Sequence, residues 1–367
     1  MRIRGAVLEE IGRPAPYATS RPITISEMEL DPPGPTEVLV RIESAGICHS
    51  DLSVVNGARP RPAPMLLGHE SAGIVEQVGS QTHLEVGQRV VMAFLPRCGK
   101  CSGCLTNGRL PCVPGSAANA TGTLLSGGIR IHREGGFVLH HLGVSGFATH
   151  AVVDERSVVP VSEKVPPHIA AVLGCAVLTG GGAVMNAGKP DQGEDVAVVG
   201  LGGVGMAAVI TAVALGRGRV IGVDALPDKL EKARELGVQA TYTPEEAIAA
   251  GIRVPVVIEA AGHPRALETA FAITAPGGRT VTVGLPHPEA KSAISAAVMT
   301  AEARTIIGSY LGSAIPARDI PVYAQMWLDG KLPVEALISS HITLDQINEG
   351  MDALAQGHAL RQIIDLS

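Results

Sequence analysis

Charge is scarce in this chain. Only 17% of its 367 residues are Asp, Glu, Lys or Arg, and the net charge is −6. A phosphate-backbone partner selects clustered Lys and Arg, so this composition argues against nucleic acid as a ligand. No secretion signal is expected either, because the opening MRIRGAVLEEIGRP meets Glu9 and Glu10 before an apolar core of signal length develops. Uninterrupted apolar spans are lacking too. The uncharged runs 169–188 and 196–216 approach the ~20 residues a bilayer requires, but several glycines break each one. The second reads as a short β-branched strand, a Gly-rich turn and a small-residue helix, so both are expected in the core of a soluble protein. At this length two domains are expected, since single cores stop growing at about 250 to 300 residues.

Cysteines number only six, yet four fall within CGKCSGCLTNGRLPC, at Cys98, Cys101, Cys104 and Cys112. Disulfides, a redox pair and a metal compete for them. The spacing, CxxCxxC with a fourth cysteine after seven residues, suits one tetrahedral zinc in a closed structural site better than it suits a lone CxxC redox motif. A disulfide framework conflicts with the expectation that the chain carries no secretion signal. A zinc ribbon that binds nucleic acid or protein is the non-enzymatic alternative. It would need basic and aromatic side chains around the metal, and the loop offers Arg97, Lys100 and Arg109 without an aromatic. The metal is expected to act as a staple for a lobe of about residues 97–113.

The other two cysteines stand apart, Cys48 in AGICHSDLSVVNG and Cys175 in LGCAVLTGGG, with His69 between them in LLGHESAGIVEQVG. A solitary cysteine is usually a small buried hydrophobe. Two cysteines and a histidine would nevertheless make three ligands and leave one position open, as catalytic zinc requires. Spacing cannot join them. The ordered combination of CHSD, GHE with its trailing glycines, the four-cysteine lobe, GCAVLTG and GLGGVG resembles the zinc-dependent medium-chain alcohol dehydrogenases over nearly the whole chain. The resemblance implies catalytic zinc on Cys48, His69 and Cys175, and structural zinc on the other four cysteines. It also implies Asp51 orienting His69, Glu70 behind the metal, and Ser50 receiving the substrate proton. With all six cysteines as ligands, a reducing cytoplasm is expected.

Gly200, Gly202 and Gly205 form a GxGxxG pattern, with Gly203 and Val204 inside it, between a strand-like VAVV and a helix-like run. A dinucleotide pyrophosphate is expected at that helix N-terminus. Asp224 ends the next apolar run, where a carboxylate accepts from the adenosine ribose hydroxyls and repels a 2'-phosphate, favouring NAD over NADP. Strand and helix signals then alternate as in doubly wound sheets. By the same resemblance, Lys229 contacts the ribose, Arg361 the pyrophosphate and Thr179 the nicotinamide. His49 stands where animal members often carry a pyrophosphate-binding arginine. The implied architecture is a GroES-like β-barrel catalytic domain from 1–175 and 311–367, with an inserted Rossmann doubly wound parallel-sheet domain from 176–310. A homodimer or homotetramer is expected.

Together these parts imply hydride transfer between an alcohol and NAD, giving an aldehyde or ketone. Ser53 replaces the relay histidine of the animal enzymes. Ser116 replaces the arginine that the glutathione-dependent formaldehyde dehydrogenases use for the adduct carboxylate, which weakens a thiol-adduct substrate. Arg59 places positive charge elsewhere and keeps an acidic substrate open. By the same resemblance, Phe94, His141 and Leu142 fall at positions that line the family's substrate cleft and suggest a medium-sized or aromatic alcohol. A nicotinoprotein that retains its NAD is the other reading. The segment 115–146 is not foldable from sequence.

Overall fold

The computed structural model describes residues 1–357 and 359–366. The chain divides into two compact units, one built from Met1–Cys175, Ile315–Leu328 and the chain from 338 on, the other from Ala176–Ala314 and Asp329–Leu337. The stretch 329–337, expected with the catalytic part, packs with the second unit. Its buried Leu332, Val334 and Leu337 take it there, and the turn Val334–Leu337 lies against the helix Gly203–Leu215.

The first unit holds a closed barrel of short strands, Arg2–Leu8, Ile23–Leu30, Ile131–Arg133, Gly136–His140 and Met65–Leu66. Beside it lies a mixed sheet whose centre is the long strand Glu37–Ile47, flanked antiparallel by Glu70–Val78, by His150–Asp154 and by Gln362–Asp365. Ten of the eleven residues in EVLVRIESAGI are buried, as expected of a strand covered on both faces. The segment 115–146, illegible in sequence, contains the end of the helix Val113–Thr121 and the hairpin Ile131–Arg133/Gly136–His140. The frequent turns expected of the first hundred residues appear as short strands separated by loops.

The second unit is a six-stranded parallel sheet in the spatial order Ala240–Tyr242, Val220–Val223, Val196–Val199, Val254–Glu259, Thr274–Thr282 and Thr305–Gly308. The order reverses between Val196–Val199 and Val254–Glu259, and in sheets of this kind ligands bind at that switch. VAVV is buried throughout, and the apolar helix Gly203–Leu215 covers it. The sequence 196–216 therefore folds as strand, turn and helix. Gly205 is required there, because a Cβ on it would lie 1.8 Å from the carbonyl oxygen of Gly200. The other apolar run falls in the helical stretch Pro167–Gly188, most of which is buried.

A polar cluster links the mixed-sheet strand Glu37–Ile47 to the barrel strand Gly136–His140. The Arg130 guanidinium donates to both oxygens of buried Glu37 at 2.8 and 3.2 Å, and Ser126 Oγ and the Gly34 N–H add bonds of 2.6 and 2.7 Å. The backbone N–H of Arg130 donates to His140 Nε2 at 3.1 Å. Burial pushes His140 down to about 4 from its ordinary 6.5, so the folded protein keeps it neutral where the unfolded chain would protonate. Stability should therefore fall as pH drops from 6.5 towards about 4, by on the order of 3 kcal/mol from this group. Chemical denaturation across that range should show the loss in the wild type and a distinctly flatter profile in His140→Gln.

Candidate functional site

The segment Cys48-His49-Ser50-Asp51 starts the helix His49–Val55 with a capping box, in which Asp51 reaches back and its Oδ2 accepts the Cys48 N–H at 2.9 Å. The cap leaves Oδ1 aimed inward. There it lies 2.9 Å from Nδ1 of His69, which holds the proton on that nitrogen and turns Nε2 the other way. Nε2 sits 3.4 Å from Cys175 Sγ. Donor atoms of Cys48, His69, Glu70 and Cys175, all buried, lie within 4.8 Å of one another. Tetrahedral zinc, with bonds near 2.3 Å to sulfur and about 2.0 Å to nitrogen, sets its donors roughly 3.5 Å apart. The donor set fits that ion. Cys175 arrives on the π-helical turn Leu173–Val177. Gly174 lets that turn approach the neighbouring sheet, since a Cβ on it would lie 2.2 Å from the Met92 carbonyl oxygen.

Electrostatics separate the two acids. Burial alone would raise Asp51, but the imidazoles of His69 and His141 outweigh it and hold the carboxyl at about 2. Burial pushes Glu70 up to about 7, against the pull of Arg361. Arg361 Nε lies 3.3 Å from Glu70 Oε1, and its Nη1 donates to the Ile47 carbonyl at 3.0 Å.

The four-cysteine lobe is a separate cluster, with Cys98 and Cys104 sulfurs 3.9 Å apart and those of Cys101 and Cys112 4.0 Å apart. Backbone N–H groups of Cys104 and Val113 point at Cys101 Sγ, both at 3.4 Å, and lower that thiol to about 6. Such donors stabilise thiolate, the form a metal binds. Arg97 ties the lobe by bonds to the carbonyls of Leu110 and Gly103. Leu105, Leu110 and Val113 are exposed, so apolar burial contributes little to its cohesion.

In the second unit the helix Gly203–Leu215 begins at Gly202 with no side-chain cap, and a Cβ on Gly202 would meet no atom within 4 Å. Its first N–H groups are thus available to an anion. Next to it lies a pocket of about 630 Å³ lined by Gly200, Asp224, His263 and Arg265 among others. Asp224 is fixed at the pocket wall, with Oδ2 accepting from the Leu201 N–H at 2.7 Å and Oδ1 from the Leu226 N–H at 3.0 Å. The fit to a dinucleotide rests on that combination.

Cys48, Asp51, His69, Glu70 and Cys175 are thus brought together. Ser50 is half-buried on the first helical turn, and the Phe94 and His141 rings each stand edge-on to His69 with centroids 5.5 Å away. Leu142 follows His141 with a left-handed backbone. Ser53 Oγ donates to the His49 carbonyl at 2.8 Å, and His49 itself is exposed. Ser116 is exposed, Arg59 and Lys229 are partly buried, and Thr179 is buried in the second unit. Gly203 and Val204 form the first turn of the helix at the pocket. Arg361, expected on a pyrophosphate, is nearly fully buried beside Glu70. His263 and Arg265 went unnoticed in the sequence. Their place just past the C-terminal end of Val254–Glu259, beside the switch in strand order, is the signal that points to them.

The sequence matches the alcohol dehydrogenase GroES-like domain over residues 34–163 and the zinc-binding dehydrogenase domain over 203–327. A relative from Mycobacterium tuberculosis that carries an alcohol dehydrogenase name is 33% identical, over 99% of this chain and 100% of its own. Among solved structures, an alcohol dehydrogenase zinc-binding domain protein from Burkholderia ambifaria is 30% identical with a TM-score of 0.92, covering 100% of this chain and 99% of its own. Benzyl alcohol dehydrogenase from Acinetobacter calcoaceticus is 28% identical with a TM-score of 0.91, covering both chains fully.

Because Asp51 fixes the His69 imidazole, Asp51→Asn should weaken metal binding at Cys48, His69 and Cys175 by roughly 10- to 100-fold. Competition with a chelator, read by zinc release, measures this. The four-cysteine lobe serves as the internal control, since its affinity should not change.

Proposed function

This chain belongs to the zinc-dependent medium-chain alcohol dehydrogenase family, and we propose that it oxidises a medium-sized or aromatic alcohol to the aldehyde or ketone with NAD. The observation that carries this reading is the buried trio Cys48, His69 and Cys175, backed by Asp51. Three protein ligands leave a coordination position for substrate, whereas the four-cysteine lobe is closed. Likeness in fold to a benzyl alcohol dehydrogenase supports an aromatic substrate, as does Phe94 beside His69.

When bound, zinc supplies Lewis acidity at the substrate oxygen and NAD supplies the acceptor for the hydride leaving the carbinol carbon. The chain's own residues do the rest. Cys48, His69 and Cys175 hold the metal, and Asp51 keeps the His69 tautomer. Arg361 offsets the charge of Glu70 in the dry layer around the site. Ser50, on the same helical turn as Asp51, takes the proton from the substrate hydroxyl. Ser53 is a poor second relay because its hydroxyl already donates to the His49 carbonyl. The uncapped N–H groups from Gly203 to Gly205 bind the pyrophosphate, Asp224 binds the adenosine ribose and Thr179 contacts the nicotinamide. With NAD bound, the balance would be one hydride from the alcohol to the cofactor and one proton to solvent for each carbonyl product.

Elemental analysis should find about two zinc ions per chain, from one closed and one open site. Cys48→Ser should keep about one and lose turnover with the fold intact. Cys104→Ser should lose the other and reduce the thermal midpoint first, because a closed site is coupled to folding. A wild type that reduces NAD with no primary, secondary or aromatic alcohol, followed by absorbance of the reduced cofactor, would sink this reading.

Asp224→Gly should raise the Michaelis constant for NAD and narrow the gap to NADP. The change in preference should exceed the loss of NAD affinity, since one carboxylate both attracts the ribose and repels a phosphate. A wild type that prefers NADP would make the assignment of Asp224 wrong.

A further inference from the structure

His141 is fully buried, and its Nε2 has no hydrogen-bond partner among the described residues. Native folds seldom leave such an atom unpaired without a use for it. Its position is held with some effort. Leu142, Gly143 and Ser145 all have left-handed backbones, with φ of 53°, 68° and 54°. A bulky leucine there is uncommon, and such strain concentrates where a fold clamps a ligand. The His141 N–H is secured by the Leu66 carbonyl at 3.2 Å and by Ser145 Oγ at 3.0 Å.

The ring is placed beside the metal ligands. It stands edge-on to His69 at an interplanar angle of 87°. Its Nδ1 lies 3.3 Å from Asp51 Oδ1, close enough to pair with that charge although not aligned for a hydrogen bond. A carboxylate facing Nδ1 keeps the ring proton on that nitrogen, which leaves Nε2 as a bare acceptor. Phe94 also stands edge-on to His69, so the metal-binding imidazole has one apolar neighbour and one neighbour able to accept a hydrogen bond.

We propose that His141 is a specificity-determining residue whose Nε2 accepts a hydrogen bond from a second donor on the substrate, so that preferred alcohols carry a hydroxyl beyond the one oxidised. This rests on the aromatic-alcohol reading above and adds a substrate class to it. A ligand hydroxyl would satisfy Nε2, whereas a methyl ether of the same shape presents only another acceptor and leaves it unpaired.

The test is calorimetric titration of the zinc-loaded protein, saturated with NADH so that no turnover occurs. The ligands are ortho-, meta- and para-hydroxybenzyl alcohols and their methoxy counterparts. At least one hydroxy isomer should bind roughly tenfold more tightly than its methoxy partner. That ratio should fall to about one in His141→Leu with zinc content unchanged, and His141→Gln, whose amide oxygen accepts, should restore part of it. Ratios near one for every isomer in the wild type would overturn the proposal, and so would a ratio that survives in His141→Leu. Loss of zinc from His141→Leu would overturn it as well, by making His141 a support for His69. The titration needs no catalysis, so a protein that turns over no alcohol fails the preceding reading while this ratio is still measured.

Discussion

Asp51 is a fully buried carboxylate, and its charge has to be matched where it stands. An isolated ionised carboxylate in a dry interior would cost far more than a fold can offset. Every partner it recruits belongs to the site. One oxygen takes the Cys48 N–H through a helix-capping interaction, and the other faces His69, with His141 nearby. A local rule for starting a helix thus fixes the His69 imidazole, and the same oxygen faces His141. Glu70, which shares the His69 cluster, faces Arg361, so two buried acids and their partners sit close together in the interior. Such an arrangement is held for geometry more than for stability, since buried ion pairs contribute little net energy.

The two cysteine clusters show how burial separates roles. Cys48 and Cys175 lie in the dry interior beside His69, where donors are fixed and water is kept out. In the lobe Cys98, Cys101 and Cys104 are only partly buried and Cys112 is buried, among exposed Leu105, Leu110 and Val113. With so little apolar area removed from water, such a loop depends on its ligands for order. Backbone N–H groups already aimed at Cys101 Sγ supply part of the charge matching a thiolate needs. In the second unit the logic is reversed, because the helix start at Gly202 is left without a side-chain cap and carries its unmet donors to the edge of the pocket.

Features set by short-range pattern could be read from the chain alone. Four cysteines in fifteen residues point to one cluster, and their sulfurs do lie together. VAVV followed by GLGGVG and a small-residue helix announces a strand, a tight glycine turn and a helix, since each depends on neighbours a few residues apart. Alternation of strand and helix signals beyond it gives the parallel sheet. What joins Cys48 and His69 is the antiparallel pairing of Glu37–Ile47 with Glu70–Val78, and the packing of the turn Leu173–Val177 against the sheet adds Cys175, on all of which local spacing is silent. The same holds for Arg361. The antiparallel register that sets Gln362 opposite Ile47 carries its guanidinium to the Ile47 carbonyl and Glu70, although the sequence places it only near the end of the chain. His141 depends on the strained turn after Gly136–His140 and on the parallel pairing of that strand with Met65–Leu66, which bring it to Asp51. The sequence by itself therefore determined the fold class, the donor types and the glycine turn between strand and helix. Only the tertiary structure decided which distant side chains share one buried charge, because register and burial are properties of the packed sheet and not of any one segment.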